Sequence, residues 1–199
     1  MSVTPVTEKG SQTREAILDR AVDLASVEGL EGLTIGRLAA ELQMSKSGLF
    51  AHFGSKQDLQ LATIAAAAAR FRATVVEPAL EQPEGAARLR ALAERYLDQV
   101  DAYSGGCFWA ATAAEYDDRP GPVRDAIAAA LDAWLAALEQ QARAAGVENP
   151  QRLAFEMYSL VTGANSRYRL GGDRRVFAFA REAIERLLPQ PRQPAKPGS

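Results

Sequence analysis

Apolar residues recur at helical spacing along almost the whole chain, and no segment shows strand alternation bounded by hairpin turns. This pattern predicts an all-α fold for the 199 residues. Because 47% of them are hydrophobic, the chain can bury a substantial core. We expect about nine helices, with flexible tails at residues 1–10 and 189–199, which are polar or rich in proline.

Capping residues mark where the first four helices begin. The expected N-caps are Ser11 or Thr13, Thr34, Ser45 and Ser55. Gly29 follows the first helix, which should end near Glu28, in the position of a C′ glycine. Ser55 and Asp58 form a capping-box pattern that opens a long helix running to about Glu77.

The remainder of the chain predicts a helical bundle. Helices are expected over residues 86–103, 108–116, 122–145, 150–169 and 173–188. Pro122 and Pro150 suit the first turn of a helix, and Gly146 suits the position after one. The architecture is therefore a three-helix amino-terminal domain joined by a long helix to a carboxy-terminal bundle.

The stretch LQMSKSGLFAHFGSK, from Leu42 to Lys56, contains no carboxylate. The short helices expected before and after its turn, IGRLAAEL and KSGLFAHF, have the layout of a helix-turn-helix whose second helix enters the DNA major groove. Ser45, Lys46 and Ser47 provide short donors and a cation near the start of that helix, which suits phosphates or base edges. Gly48 places no side chain between the helix backbone and DNA.

The net charge restricts any DNA contact to a local surface. The whole chain has a formal charge of −2, and residues 1–56 contain six Lys or Arg against seven Asp or Glu. A short acid-free stretch also arises by chance, so an ordinary solvated helix is the alternative interpretation.

The segment TREAILDRAVDLASVEGLEGLTIGRLAAELQMSKSGLFAHFGSKQDL, residues 13–59, resembles the amino-terminal DNA-binding domain of the tetracycline-repressor (TetR) family. Members of that family are homodimeric helical transcription regulators, usually repressors, whose variable carboxy-terminal domain binds a small ligand and releases DNA. The string GCFWAATAAEYDDRPGPVRDAI is similar to the carboxy-terminal domain of one branch of the family. The resemblance implies three partners: operator DNA, a second copy of the chain and an unidentified small effector.

The resemblance also implies DNA contacts for individual residues. By this resemblance, Thr34 contacts a DNA phosphate from the start of the second helix. The resemblance places Ser45, Lys46, Ser47 and Leu49 in or beside the groove, and His52 and Lys56 at the DNA backbone. Two residues depart from the family pattern. Gln43 replaces the usual glycine before the recognition helix, and Phe50, at a DNA-binding position, replaces a tyrosine whose hydroxyl often reaches phosphate.

We therefore expect a helix-turn-helix domain at residues 11–56 and a ligand-sensing and dimerisation domain at residues 57–188. Aromatic side chains of the second domain suit a pocket for a hydrophobic or aromatic effector, although they also suit a filled core. The predicted pocket residues are Tyr96, Tyr103, Cys107, Phe108, Trp109, Trp134, Phe155 and Tyr158. Without a pocket, the chain would be a DNA-binding regulator that has no effector.

The last two helices each carry an apolar face that could pair with its symmetry mate in a four-helix dimer interface. The predicted interface residues are Leu153, Met157, Leu160, Val161, Ala164, Val176, Ala180, Ile184 and Leu187. Packing within one chain would use similar residues. The family resemblance favours the homodimer.

Cys107 and His52 are the only cysteine and the only histidine. We therefore expect no disulfide, no multi-His or cysteine-based metal site and no cofactor. Cys107 could act as a redox sensor, with a buried inert thiol as the alternative. An enzyme using Glu115, Asp117 or Cys107 has little support, because nothing places a nucleophile beside a base.

Two features of the sequence predict a cytoplasmic location. The opening MSVTPVTEKG lacks the pattern of a signal peptide. The most apolar run, LATIAAAAA, is shorter than the roughly 20 residues that span a bilayer.

Overall fold

The computed structural model describes residues 8–189, with side chains from residue 12 onward, and this part of the chain contains helices but no strand. The helices are α1 (Glu8–Gly32), α2 (Ile35–Glu41), α3 (Lys46–Phe53), α4 (Lys56–Phe71), α5 (Glu77–Ala79), α6 (Ala86–Asp98), α7 (Phe108–Tyr116), α8 (Pro122–Ala144), α9 (Pro150–Gly171) and α10 (Arg175–Leu187). A π-helical turn, Arg72–Val76, joins α4 to α5, which is itself a single turn. The all-α prediction is confirmed.

The first helix differs from the prediction at its start, whereas its predicted end near Glu28, followed by Gly29, is confirmed. It begins at Glu8, so an N-cap at Ser11 or Thr13 is wrong and residues 8–10 are helical rather than part of a tail. The backbone leaves helical geometry at Gly29, where φ is 78° and ψ is 164°, and helical turns then resume as far as Gly32. The other predicted tail residues, 1–7 and 190–199, lie outside the described part of the chain.

The other three predicted N-caps are confirmed. In each, the side-chain oxygen accepts a hydrogen bond from the backbone N–H three residues on: Thr34 from Arg37 at 3.0 Å, Ser45 from Gly48 at 3.1 Å and Ser55 from Asp58 at 3.0 Å. The Ser55 hydroxyl also donates to the Asp58 carboxylate at 2.6 Å. These caps satisfy backbone donors that have no partner within the first turn of a helix.

The chain forms two compact units. The first contains residues up to 76 together with 98–133, and the second contains residues 77–97 together with those from 134 onward. Helix α2 has only seven residues and could not persist alone, so the first unit stabilises it by burying Leu38 and Ala39. Side chains with no exposed area at the centre of this unit include Leu30, Leu33, Leu49 and Leu59.

One helical stretch in the described residues, Lys56–Ala79, is long and apolar enough to cross a membrane by length and composition alone. Leu59, Gln60, Thr63 and Ile64 within it are buried in the first unit. A core helix of a water-soluble protein has the same character, so this stretch is weak support for a membrane span.

Candidate nucleic-acid interface

The turn between α2 and α3 has the hydrogen bonding of a Schellman motif. The Met44 N–H donates to the Ala39 carbonyl at 2.9 Å, and the Gln43 N–H donates to the Ala40 carbonyl at 3.3 Å. Gln43 has a φ of 53° and is the only residue other than glycine with positive φ in the described chain. Gln43 therefore adopts the left-handed geometry that the family pattern gives to glycine.

The exposed face of α3 carries one cation and no acid. Lys46, Ser47, Phe50 and Ala51 are exposed on it, and 56% of the Phe50 area is accessible. Ser45, the N-cap, is exposed as well. The sequence does not predict Ala51 as part of this face, because a methyl side chain carries no chemical signal of its own. The face therefore combines hydroxyl donors, an ammonium group and apolar surface.

Leu49 does not belong with the other predicted DNA-binding side chains. Its exposure is 0%, so it packs inside the first unit and is unavailable to the major groove. Phe53, one turn later, is also buried, and the Arg14 guanidinium lies 5.3 Å from its ring centroid. Leu49 and Phe53 therefore anchor α3, which fits the apolar i, i+4 spacing in the sequence.

Two glycines shape the surface around α3. A Cβ on Gly48 would lie 3.0 Å from the Ser45 Oγ, so this glycine leaves room for the N-cap. A Cβ on Gly36 would lie 3.3 Å from the Lys46 Cε and 4.0 Å from the Thr34 Oγ1. Sequence reasoning missed Gly36, whose position brings the Lys46 side chain across the start of α2.

Ion pairs within α1 and α2 neutralise acids of the first unit. Arg20 pairs with Glu41, and Arg37 pairs with Glu28 at 2.6 Å and with Glu41 at 2.9 Å. Hydrogen bonds from the two arginines hold the pKa of Glu41 below its usual value. These pairs are solvent-exposed and contribute little stability. Lys46 makes no ion pair with the described residues, so its charge remains available to an external anion.

The three residues predicted at the DNA backbone, Thr34, His52 and Lys56, are all partly buried. The Lys56 Nζ donates to a Glu31 carboxylate oxygen at 2.5 Å, and this hydrogen bond lowers the pKa of Glu31. A phosphate contact by Lys56 would therefore compete with Glu31. The His52 ring lies 6.2 Å from the Phe53 ring, tilted by 49°.

Three predicted pocket residues share a cavity in the second unit. Tyr96, Trp134 and Tyr158 line a space of about 10 Å³. The other residues around it are Ala93, Leu138, Met157 and Val161. This volume suits a single water, far below the roughly 300–1,000 Å³ of a typical ligand pocket. Phe155 is 66% exposed and does not line this cavity.

The other predicted pocket residues belong to the first unit. Cys107, Phe108 and Trp109 are buried at the start of α7, where the two aromatic rings meet edge to face at 5.2 Å. Tyr103 lies under the Arg70 guanidinium at 4.9 Å, and burial raises the pKa of Tyr103. Cys107 is only 6% exposed, which gives an oxidant little access to its thiol.

The predicted dimer residues divide between core and surface. Leu153, Met157, Val161 and Ile184 are at most 4% exposed and line neither open groove of the second unit, so they pack inside it and their assignment to an interface is wrong. The remainder line two adjoining open grooves between α9 and α10, which we call the α9–α10 face. Its residues are Phe155, Glu156, Ser159, Leu160, Gly163, Ala164, Arg167, Val176, Phe179, Ala180, Ala183 and Leu187.

The acidic candidates for catalysis do not form a reaction centre. Both oxygens of the Glu115 carboxylate accept backbone hydrogen bonds, at 2.7 Å from Leu30 and 2.9 Å from Glu31. Asp117 is exposed. Within residues 8–189, no group of three His, Cys, Asp or Glu side chains is arranged to hold a metal ion.

An all-helical chain whose capped helix-turn-helix exposes an acid-free helix is typical of a DNA-binding regulator. Residues 17–63 match the family model for bacterial regulatory proteins of the tetR family. Residues 85–184, half of the chain, match the tetracyclin repressor-like C-terminal domain. The chain therefore belongs to the TetR family, whose members are DNA-binding transcription regulators and not enzymes.

Solved structures share this fold over nearly the whole chain. A TetR transcriptional regulator from Legionella pneumophila has a TM-score of 0.79 and 19% identity, covering 95% of this chain and 100% of its own. A TetR-family regulator from Streptomyces coelicolor has a TM-score of 0.77 and 26% identity, with coverages of 89% and 94%. AibR, solved with isovaleryl coenzyme A and operator DNA, has a TM-score of 0.72 and 22% identity, with coverages of 88% and 98%. None of the curated proteins matches the chain.

Proposed function

We propose that this regulator is a cytoplasmic homodimeric repressor that leaves its operator when a small hydrophobic or aromatic effector binds. Residues 11–56 would read DNA, and residues 57–188 would sense the effector and dimerise. The observation that carries the DNA-reading role is the exposed face of α3, where Lys46, Ser47 and Phe50 lie together without an acid.

This face has the chemistry needed for the major groove. Ser45 and Ser47 hydroxyls can donate to phosphate or base edges, and Lys46 supplies the charge that attracts phosphate. Phe50 and Ala51 offer apolar surface, which suits thymine methyl groups. Thr34, His52 and Lys56 would contact the DNA backbone around this face.

The effector part of the proposal draws on the family and on a related complex. AibR was solved with isovaleryl coenzyme A and operator DNA. The 10 Å³ cavity beside Tyr96, Trp134 and Tyr158 is too small for such a molecule, so an effector that binds at these residues would have to select an expanded conformation. It would cause release only by preferring a conformation that cannot bind the operator. Tilting of the helix from Lys56 to Glu77, which contains the π-helical turn, would change the spacing of the two reading heads.

A second candidate is a DNA-binding regulator without an effector, which fits the close packing around Tyr96, Trp134 and Tyr158. The two candidates differ in their response to ligands. Hydrophobic and aromatic compounds should be titrated against the protein–operator complex. A compound that binds the protein and lowers operator affinity supports the repressor. Tight binding with unchanged operator affinity contradicts the release mechanism.

The first experiment measures binding to labelled DNA from upstream of the protein's own gene, beside scrambled DNA of equal length, over a salt series. Specific recognition predicts preference for the native sequence. It also predicts a steep loss of affinity with salt, because bound phosphates release counterions. Equal affinity for both DNAs would mean that the operator lies outside this region.

Lys46→Ala should weaken operator binding roughly tenfold and reduce the salt dependence by about one counterion, because one phosphate or base contact is lost. Filter binding or fluorescence anisotropy measures both quantities. Arg143→Ala is the control, since it also removes an exposed cation but lies on α8, outside the helix-turn-helix. Equal effects of the two substitutions would argue against a specific role for the α3 face.

A further inference from the structure

The interruption of α1 at Gly29 leaves backbone donors that a side chain of α7 satisfies. With φ of 78° and ψ of 164°, Gly29 breaks the helix and begins a short second helical segment. The first N–H groups of such a segment have no partner within it. Leu30 and Glu31 donate these hydrogens to the two oxygens of Glu115, at 2.7 and 2.9 Å.

A residue with a Cβ at position 29 would be strained by the φ of 78° and would displace the Glu115 carboxylate. A Cβ on Gly29 would lie 2.6 Å from a Glu115 carboxylate oxygen. A carboxylate suits this position, because it accepts charge-assisted hydrogen bonds and opposes the positive end of a helical segment. Glu115 therefore acts as an N-cap supplied by a helix 84 and 85 positions away in sequence.

A buried polar network holds the other side of the same segment. The Gln60 amide donates to the Leu30 carbonyl at 2.7 Å and to the Tyr116 hydroxyl at 3.1 Å. The Tyr116 hydroxyl in turn donates to the Glu31 carboxylate at 3.3 Å. Gln60 and Tyr116 are only 4% and 6% exposed, so the two hydrogen bonds of the Gln60 amide are largely shielded from water, whereas the Glu31 carboxylate is exposed.

The loop before α7 attaches to α1 at a second place. The Ser104 N–H donates to Asp23 at 2.8 Å, and the Gly105 N–H donates to the Ser26 hydroxyl at 3.0 Å. The chain from Ser104 to Tyr116 therefore contacts α1 both before and after the break at Gly29. Helix α2 begins at Ile35, only a few residues after the capped segment, so the direction of that segment affects the position of α2 and α3.

We propose that Glu115 is a positioning residue for operator recognition. By capping α1 after Gly29, it fixes the direction in which the chain enters α2 and α3, and so restricts the separation of half-sites that a dimer can occupy. This inference rests on the proposed function, since it needs a specific operator and two reading heads. Glu115 itself contacts no DNA in this mechanism.

The test uses the full-length protein, the operator and operators whose half-sites are moved by one or two base pairs. Glu115→Ala should lower affinity for the correctly spaced operator about tenfold, the loss expected if the uncapped chain holds α2 and α3 in the binding-competent direction only about a tenth of the time. Affinity for altered spacings should fall less, so that spacing selectivity decreases. Glu115→Gln, which keeps one carbonyl acceptor, should restore part of the selectivity. Amide hydrogen exchange at Leu30 and Glu31 should accelerate in the alanine variant.

Asp118→Ala is the matched control, since it removes an exposed carboxylate three residues away. Electrostatics alone predicts that loss of either acid strengthens binding to DNA, opposite to the effect expected for Glu115→Ala. Unchanged spacing selectivity in Glu115→Ala, or an equal loss on operator and scrambled DNA, would overturn the inference while leaving the proposed function intact. A wild-type protein with no operator preference would overturn both.

Discussion

Gln43 adopts a backbone conformation that is unfavourable for residues with a Cβ. Its φ of 53° lies in the left-handed region, where residues with a Cβ are disfavoured by about 1–2 kcal/mol. Glycine removes that strain but loses more entropy on folding, so Gln43→Gly should raise the free energy of unfolding by about 0.5–1 kcal/mol. Chemical denaturation measures the change.

Gln140→Gly provides the control for this substitution. Gln140 is exposed within α8, where φ is helical, so the same exchange should lower the free energy of unfolding by roughly 0.5–1 kcal/mol. A loss of stability in Gln43→Gly similar to that in Gln140→Gly would show that Gln43 is not strained.

The raised pKa of Tyr116 predicts a change in the free energy of unfolding at high pH. Burial, with the nearby carboxylates of Glu31 and Glu115, raises the pKa of Tyr116 from 10.0 to about 12. Because the folded state favours the protonated hydroxyl, its contribution to stability is complete below pH 10 and decreases as the pH rises towards 12. The difference in unfolding free energy between wild type and Tyr116→Phe should therefore shrink over that interval. A constant difference up to pH 12 would contradict the raised pKa.

Individual roles were predictable where the partner is close in sequence. Thr34, Ser45 and Ser55 each cap a backbone donor three residues on, so sequence spacing is sufficient. Glu115 caps residues 84 and 85 positions away, and no local pattern reveals that. The family pattern places Leu49 in or beside the groove, but Leu49 is fully buried, as its apolar spacing with Phe53 indicates. The DNA contacts themselves stay predictions.

At the scale of elements, the loop before α7 depends on one glycine. A Cβ on Gly105 would lie 1.8 Å from the Ser26 carbonyl oxygen of α1. Gly105→Ala should therefore displace the loop and destabilise the protein by about 1–3 kcal/mol, as overpacking generally does. Thermal or denaturant unfolding measures the loss.

Gly163→Ala gives the opposite expectation for the same exchange. Gly163 lies within α9, and nothing comes within 4 Å of an added Cβ. Alanine there should stabilise the helix of a single protomer by about 0.5–1 kcal/mol. A Gly105→Ala variant as stable as the wild type would mean that the loop does not pack tightly on α1.

The boundaries of most helices followed from local signals, and the exceptions have physical causes. Pro122 and Pro150 begin α8 and α9, and Gly146 has a φ of 74° after α8, as predicted. The restart of α1 after Gly29 depends on donors from Leu30 and Glu31 reaching α7, which sequence periodicity does not report. The π-helical turn that follows α4 likewise has no signature in the apolar pattern.

At the scale of the whole molecule, the all-α architecture was predictable because helical periodicity runs through both units. The sequence does not show whether an apolar face packs within the chain or against a second copy. Leu153 and Ile184 have the same spacing as an interface would need, yet they fill the second unit. Phe155 and Phe179 remain 66% and 61% exposed on the α9–α10 face, a considerable apolar area for a single protomer to leave in water.

This exposed face predicts a two-fold dimer that a single charge should disrupt. In a dimer formed through the α9–α10 face, Phe179→Asp would bury an unpaired carboxylate, which costs far more than the lost apolar contact. Sedimentation equilibrium should then show a monomer at concentrations where the wild type is dimeric. Operator affinity should fall at least a hundredfold, because two linked half-site contacts become independent. Leu80→Asp, which changes another exposed apolar residue outside this face, should remain dimeric. A dimeric Phe179→Asp variant would place the interface elsewhere, since no isologous contact centred on Phe179 could tolerate two facing carboxylates.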